Sequence, residues 1–447
     1  MKIVIAGAGD MGFHLARLLA SENQQIVLID TNDDILDYVR GHLDIIAIKG
    51  DSASIQVLEE AQVGSAKMFL AVTTSEKNNL VSSILAKKMG AKMTIARVTN
   101  SEYLEPKQKA NFKELGIDQI ICPLALASEE IEMLLLNCPV TDNFEFEEGK
   151  ISLSGITVDH SSPIVGKTMN EFISTEDQLQ YKLVAILRNN EETIVPDADT
   201  RIIAGDHLYF LATQKRRNAL LEALGQDMHK VKYVMILGGS ELGKETARRL
   251  EEKYHLTIVE KNKEKCKKLA EVLHNTLIIE GDPSNIELLK EEGLDRMDAV
   301  VALTANSETN IIACLSAEKA GVYKTIALVD NTEYIHISQH IGVDTLINKK
   351  LIAANSIFSY IRKGKVKAMT RIQGVDAEII EYLLHKNNQL TKKPIKDLPL
   401  PKRSMIAAVV RDDKSIIPDS EFTLQKDDKV IVLATNEVIG KVDNLFR

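Results

Sequence analysis

Residues 1–30 read MKIVIAGAGDMGFHLARLLASENQQIVLID. The apolar run Ile3 to Ala6 meets Gly7, Ala8, Gly9, Asp10, Met11 and Gly12. A helical pattern follows in Phe13, Leu15, Ala16, Leu18 and Leu19, and a second apolar run, Ile26 to Ile29, ends on Asp30. The order is strand, glycine turn, helix, strand, acid. Gly7 makes the tight turn, Gly9 lets backbone approach a phosphate with no Cβ in the way, and Gly12 permits close helix packing. The N–H groups of the new helix then face the phosphate. Asp30, at the end of the second strand, is placed to accept hydrogen bonds from ribose hydroxyls. A GxGxxG pattern alone is weak evidence, because its plainer reading is a turn capping any helix. With strand, helix and acid in place around it, the stretch predicts nucleotide binding.

Outward from the turn, strands and helices alternate. Ile45 to Ile48 reads as a strand ending in Gly50 and Asp51, and Met68 to Val72 as another ending in Thr73 and Thr74. A helix runs from Asn78 and Asn79 to Gly90, the strand Met93 to Val98 carries Arg97, and the short strand Ile120 to Cys122 closes the series. Near-continuous apolar strands between helices indicate a parallel sheet covered on both faces, an α/β doubly wound, Rossmann-like domain. Its ligand crevice lies at the carboxyl ends of the strands, where Gly7, Asp30, Asp51, Thr73 and Arg97 are expected to converge. The helix Pro123 to Asn137 has more apolar surface than one small sheet covers. It packs on a neighbouring subunit or in the core of its own domain, and the pattern leaves both open.

Past residue 142 the texture changes. Phe144, Phe146, Ile151, Leu153 and Ile156 alternate with polar residues, and Lys182 to Leu187, Thr193 to Val195 and His207 to Leu211 read as further strands. Val165 to Phe172 and Ala219 to Leu224 read as short helices, giving a small α+β module. Then the pattern restarts: Val234 to Leu237 is followed by Gly238, Gly239, Ser240, Glu241, Leu242 and Gly243, with Glu260 closing the next strand. From Gly7 to Gly238 is 238 − 7 = 231 residues, and the same offset joins Asp51 to Asp282, Thr73 to Thr304, Asn79 to Asn310 and Gly90 to Gly321. Arg188, Pro196 and Asp197 recur as Arg411, Pro418 and Asp419. The chain is a tandem duplication, with expected domains 1–140, 141–228, 229–362 and 363–447.

Composition bounds the function. A chain of 447 residues divides into several domains, and 45% hydrophobic with 27% charged residues reads as globular. A net charge of −9 and a pI near 5.7 argue against nucleic acid as the main partner, which demands a basic face. No apolar run approaches the ~20 residues that span a bilayer, and the N-terminus reads as a strand rather than a signal peptide, so a cytoplasmic location is expected. The four cysteines, Cys122, Cys138, Cys266 and Cys314, show no CxxC spacing and suggest neither a disulfide framework nor a zinc site.

The GAGDMG turn with Asp30, the Gly50-Asp51 pair, Thr73, Asn79 and Arg97, a small module after each half, and the repetition of the whole resemble the Trk system potassium uptake protein A family. That family comprises peripheral regulatory subunits of bacterial potassium transporters, each built from two regulator-of-potassium-conductance (RCK) units. The resemblance covers nearly the whole chain, and the duplication is its most specific feature. It implies binding of NAD(H) and of adenine nucleotides (ATP, ADP or AMP), a homo-oligomeric ring, and docking on the inner membrane face beneath a membrane-embedded potassium-translocating subunit. The implied nucleotide-binding residues are Gly7, Ala8, Gly9, Asp10, Met11, Gly12, Asp30, Asp51, Thr73, Thr74 and Arg97, with Gly239, Ser240, Glu241 and Glu260 in the second half.

The second half departs from that pattern. Ser240 stands where backbone must approach the phosphate, and Leu328 replaces Arg97. Its site is expected to be weaker, selective for another ligand, or mostly structural. His336 and His340 have helical i, i+4 spacing, but no further ligand is fixed beside them, and a solvated helix face is the reading preferred to a metal site. The lysines from Lys261 to Lys268 around Cys266 read the same way. Arg362, Lys363, Lys365 and Lys367 form a basic run, read as a charged linker rather than a lipid contact. An NAD-dependent oxidoreductase remains the alternative class, but it needs an acid or base beside the nicotinamide, and the small modules offer no such cluster. A regulatory protein needs only ligand-dependent geometry.

Overall fold

The computed structural model describes residues 1–446 apart from 21–23, 137, 139, 148, 173–180, 190, 214–215, 226–229, 331–342, 344, 363–365, 372–374 and 387–388. His336, His340, Lys363 and Lys365 lie outside the described residues, and of Arg362 and Lys367 only the backbone is described.

The first apolar runs become β1 (Lys2–Ala6), β2 (Gln25–Asp30), β3 (Ile46–Lys49), β4 (Met68–Ala71), β5 (Met93–Arg97) and β6 (Gln119–Ile121). They pair in parallel in the order β3-β2-β1-β4-β5-β6. Ile3, Val4, Ile5 and Ala6 are all fully buried because helices cover both faces. Polar side chains set where those helices begin. Asn32 accepts from the N–H groups of Asp34 and Ile35 to open the helix Asp33–His42, and Ser75 accepts from Asn78 to open Glu76–Met89. Gly90, at φ +118°, ends the latter in the left-handed conformation.

The second half of the chain reproduces this sheet, with a small module between the two. That module holds β7 (Asp142–Phe146), β8 (Ile151–Thr157), β9 (Tyr181–Arg188), β10 (Glu192–Ile194) and β11 (His207–Thr213), antiparallel in the order β10-β9-β11-β8-β7. Then come β12 (Tyr233–Leu237), β13 (His255–Glu260), β14 (Thr276–Glu280), β15 (Ala299–Ala302), β16 (Lys324–Leu328) and β17 (Thr345–Ile347), parallel in the order β14-β13-β12-β15-β16-β17. The chain closes with β18 (Val366–Arg371), β19 (Ala377–Leu383), β20 (Ser404–Arg411), β21 (Lys414–Ile416) and β22 (Lys429–Thr435), in the order β18-β19-β22-β20-β21.

Two expectations change in the small modules. The helix read over Val165 to Phe172 shrinks to Met169–Phe172. Turn hydrogen bonds from Val165 to Ser162 and from Lys167 to Ile164, with Gly166 at φ +80°, occupy its first half. The alternation expected along β8 is absent, since Ile151 through Ile156 are all buried. One face of this sheet packs on the module's own residues, including Ile156, Leu208, Phe210 and Leu220. The other shares a core with the second module, where Leu153 and Leu211 lie in one cluster with Ile379 and Leu433. Each module also carries an ion pair between a half-buried arginine and a buried aspartate. Arg188 donates from Nε and Nη2 to the two carboxyl oxygens of Asp206 at 2.8 Å each, and Arg411 does the same to Asp428 at the same distances.

By packing, residues 1–129 group with 348–361, and residues 130–347 group with 362–447. The helix that closes the first repeat, Pro123–Leu136, is thus divided, residues 123–129 staying with the first sheet and the rest grouping with the second repeat, whereas the helix that closes the second, Lys349–Arg362, groups with the first repeat up to residue 361. Glu132 on the first accepts a hydrogen bond from Arg249 Nη1 at 3.0 Å and another from Lys253, both in the second repeat. Burial pushes the Glu132 carboxyl up, but these two cations outweigh it and hold it below the usual carboxylate range. Leu124 and Ala125 pack in the core of the helix's own domain with Ala96 and Ile120, one of the two sequence readings, and the second repeat of the same chain meets the helix at Glu132. Of the cysteines, Cys122, Cys138 and Cys314 are buried and Cys266 is half-buried, all unbridged. Lys261, Lys263, Lys265, Lys267 and Lys268 are all exposed.

Candidate nucleotide site

The turn after β1 is held by backbone. Gly7 donates to Ile29 O at 2.8 Å, and its φ of +106° places a hypothetical Cβ 2.8 Å from Thr73 N. A Cβ on Gly12 would stand 1.8 Å from Gly7 O. Both glycines are demanded by the fold. Gly9 is different: its φ is not in the left-handed region, and a Cβ there meets nothing within 4 Å. The fold does not require this glycine, whereas a ligand pressed against the turn would.

Asp30 closes β2 beneath the turn. Its Oδ2 accepts from Ala8 N at 2.6 Å and its Oδ1 from Asn32 N at 2.9 Å, which fixes the carboxylate while each oxygen keeps acceptor capacity. At the end of β4, Thr73 N and Oγ1 both donate to Asn79 Oδ1, at 2.9 and 2.6 Å. Asn79 Nδ2 in turn donates to the carbonyls of Thr73 and Arg97, so one buried amide ties the end of β4 to the end of β5.

These strand ends border a cavity of about 530 Å³. Of the sequence-predicted residues, Gly7, Gly9, Asp10, Met11, Asp30, Thr73, Thr74 and Arg97 line it. Ala8 and Gly12 are buried behind the turn, and Asp51 is outside the lining. The Asp51 carboxylate accepts instead from Ala53 N and Asn78 Nδ2, leaving Gly50, Ser52 and Asn78 to face the cavity. Burial pushes the Arg97 guanidinium below its ordinary value, with Cys122 pulling the other way. Among the described residues no carboxylate pairs with it. A half-buried, unpaired guanidinium on a cavity wall is suited to an anion.

The lining also contains residues that the sequence did not point to: Thr31, Ile35, Ser75 and Thr99, Pro123 and Leu124, and Lys349 and Lys350. Lys350 Nζ is paired with the carboxylate of Asp10. The signal available for the lysines was the duplication, since they occupy the place after β17 that Pro123 and Leu124 occupy after β6.

The second turn has the same frame with a different filling. Gly238 donates to Val259 O at 2.8 Å, and a Cβ on Gly243 would stand 2.2 Å from Gly238 O. Asn310 repeats the latch, bonding to Thr304 and to the carbonyl of Leu328. Ser240 Oγ, however, donates to Leu303 O at 2.9 Å and accepts from Gly243 N at 3.2 Å, so the side chain caps the helix itself. Glu260 is buried, its two oxygens accepting from Gly239 N and Asn262 N. A Cβ on Gly239 would stand 2.5 Å from Leu269 Cδ1 and 3.2 Å from Glu260 Cβ, so packing explains this glycine. Glu241 is exposed and pairs with Lys244. Among the described residues no group of three or more His, Cys, Asp or Glu is arranged to hold a metal ion.

Two parallel sheets of this order, each with a glycine turn at its switch point and each followed by an antiparallel module, define a tandem nucleotide-binding chain of the RCK type. The TrkA-N domain family matches residues 3–123 and 234–349, and the TrkA-C domain family matches 153–225 and 379–447. The chain is 32% identical to a Trk system potassium uptake protein TrkA homolog of Archaeoglobus fulgidus, and 30% identical to TrkA homolog 1 of Methanosarcina mazei, each over 100% of both chains. It belongs to the TrkA family of Trk system potassium uptake proteins. Its fold is also that of the GsuK RCK domain, with a TM-score of 0.61 at 18% identity over 100% of this chain and 94% of that one. The GsuK channel bound to NAD is similar to the same degree, with a TM-score of 0.61 at 18% identity over 100% and 78% of the two chains.

Proposed function

We propose that the chain is the nucleotide-binding regulatory subunit of a potassium uptake system, gating a membrane-embedded translocating subunit from the cytoplasmic face. The observation that carries the binding reading is the first turn. Gly9 has empty space above it where the fold would tolerate a side chain, and the surrounding cavity presents an acid on one side and an unpaired guanidinium on the other. Gly7, Gly9, Met11, Asp30, Thr73, Thr74 and Arg97 are its ligand contacts in this reading. NAD(H), ATP, ADP and AMP all carry an adenosine ribose and phosphate for the same turn. Family membership supports the potassium-uptake role, and among the described residues no helix is long and apolar enough to cross a membrane, which accords with a separate translocating partner.

In this mechanism nucleotide binds two arrangements of the subunit with different affinity, and the difference in binding free energy shifts the partner between states. No bond is made or broken, so the protein acts without turnover, as one member of a homo-oligomeric ring. The domains 1–140, 141–228, 229–362 and 363–447 are its functional segments. The test is to titrate the purified chain with NADH, NAD, ATP and ADP, then to measure potassium flux in vesicles carrying the translocating subunit. Saturable binding without consumption of ligand, together with nucleotide-dependent flux, is expected. Steady NADH oxidation, or flux indifferent to every nucleotide, would sink the proposal.

A further inference from the structure

The helix after the second strand of each sheet is matched between the repeats by its cap. With Asn32 set against Asn262, Asp33 falls on Lys263, Asp37 on Lys267 and Tyr38 on Lys268. The helix Asp33–His42 sets Asp33, Asp34 and Asp37 against Arg40, a net charge of −2 with histidine neutral. Lys263–Val272 sets Lys263, Lys265, Lys267 and Lys268 against Glu264 and Glu271, a net charge of +2. All of these charged residues are exposed. The neighbouring strand ends differ in sign as well, since the exposed Lys49 closes β3 and the exposed Glu280 closes β14.

Each helix lies beside an open sheet edge. β3 and β14 are the outermost strands of their sheets, and Arg40 Nη2 donates to Ala47 O at 3.2 Å to join the acidic helix to β3. Apolar side chains are exposed at both edges. Tyr38 is 55% and Ile46 50% exposed beside the acidic helix, and Val272 is 45% and Leu277 60% exposed beside the basic one. Ile46 and Leu277 are counterparts under the 231-residue offset, so both halves keep an apolar residue at this open position. Tyr38 is held by stacking on His42, with ring centroids 4.1 Å apart. An open edge strand invites pairing, and an apolar centre within a charged rim is the build of a protein interface. The ion pairs inside the patches, such as Lys49 with Asp33 and Lys267 with Glu264, join exposed side chains and are weak competitors for a partner.

We propose that these two patches meet across copies of the chain, Asp33–His42 with β3 of one copy docking on Lys263–Val272 with β14 of the next. Like patches repel, so unlike ones join, head to tail. Such a contact leaves one acidic and one basic patch open at the ends of a row until it closes into a ring. The inference deepens the ring reading above and rests on it, and it is independent of nucleotide binding.

The test mixes isotope-labelled and unlabelled full-length chain, joins carboxylates to amines with a zero-length carbodiimide and maps the linked peptides by mass spectrometry. Peptides carrying Asp34 or Asp37 should be linked to peptides carrying Lys265, Lys267 or Lys268, with labelled–unlabelled pairs among them. In sedimentation, Asp34→Lys with Asp37→Lys should weaken association about tenfold or more, and Lys265→Glu with Lys268→Glu should do the same. All four changes together should restore it, because both signs are then exchanged. Potassium chloride should weaken the wild-type association by screening. An oligomer without these cross-links, or with them only inside single chains, overturns the contact and leaves the ring reading standing. Association indifferent to either reversal, or not recovered in the fourfold variant, overturns it also, and the wild-type cross-links decide should a variant fail to fold. A chain that stays monomeric refutes the ring reading and the contact together.

Discussion

The two glycine turns share a frame and differ in what fills it. Gly7 and Gly238 have φ of +106° and +105°, and Asn79 and Asn310 make the same four latch bonds, each within about 0.1 Å of its counterpart. The differences lie on the ligand side. Gly9 becomes Ser240, whose hydroxyl caps its own helix, and the half-buried Arg97 becomes the buried Leu328. Behind the turn, Ala8, Val39 and Asp30 are exchanged for Gly239, Leu269 and Glu260. The matching caps Asn32 and Asn262 identify Leu269 with Val39, and the smaller residue at 239 makes room for two larger ones. Interactions that hold sheet to helix are repeated, whereas groups that would meet a phosphate are not. A duplicated fold can thus lose a site without losing a scaffold bond, because the scaffold uses the amide of Asn79 and the N–H of Gly7, not the space above Gly9.

This contrast can be broken most sharply at Gly9. Gly9→Val should abolish nucleotide binding at the first turn, a loss of ~100-fold or more as an apolar branch displaces phosphate from its donors. Because nothing lies within 4 Å of the new Cβ, thermal stability should change by no more than about 0.5 kcal/mol. Unchanged affinity in calorimetry would remove the phosphate cradle from the argument.

Next in size is Arg97→Leu, which copies the second repeat into the first. Loss of a charge-assisted contact of up to about 3 kcal/mol is expected, with loss of the nucleotide response of potassium flux and no unfolding. A variant with wild-type affinity and response would show that the asymmetry lies elsewhere. Asp30→Ala should cost about 1.5 kcal/mol of binding for ATP and NAD alike, since both present the same ribose. It should also lower the melting temperature, because Ala8 N and Asn32 N lose their acceptor. A variant that discriminates between the two ligands would count against the ribose role.

The smallest effect is expected at Ser240→Gly. Replacing a capping serine by glycine costs a few tenths of a kcal/mol, and Leu269 and Glu260 still crowd the turn. Binding stoichiometry should stay at one nucleotide per chain, whereas a second equivalent appearing in this variant would mean that Ser240 alone closes the second site.

From residues 1–30 and the 231-residue offset, the sequence by itself determined the two parallel sheets, the glycine turns, the acid after each second strand and the substitutions that set the halves apart. These are local: a period, a turn residue and a strand end are written in neighbouring positions. It also placed Asp51 at the crevice, and there local reading stopped short, because the carboxylate turns to Ala53 and Asn78 and leaves the lining to Gly50 and Ser52. The division of the helix Pro123–Leu136 between two packing groups, and the grouping of residues 349–361 with the first repeat, were decided only in three dimensions. Apolar faces attract without direction, so the pattern of the helix Pro123–Leu136 says that it must be covered but not by what. Lys350 stands 340 positions from Asp10 along the chain, and no spacing rule links them. Only the packing of Lys349–Arg362 with the first repeat brings that charge to the cavity.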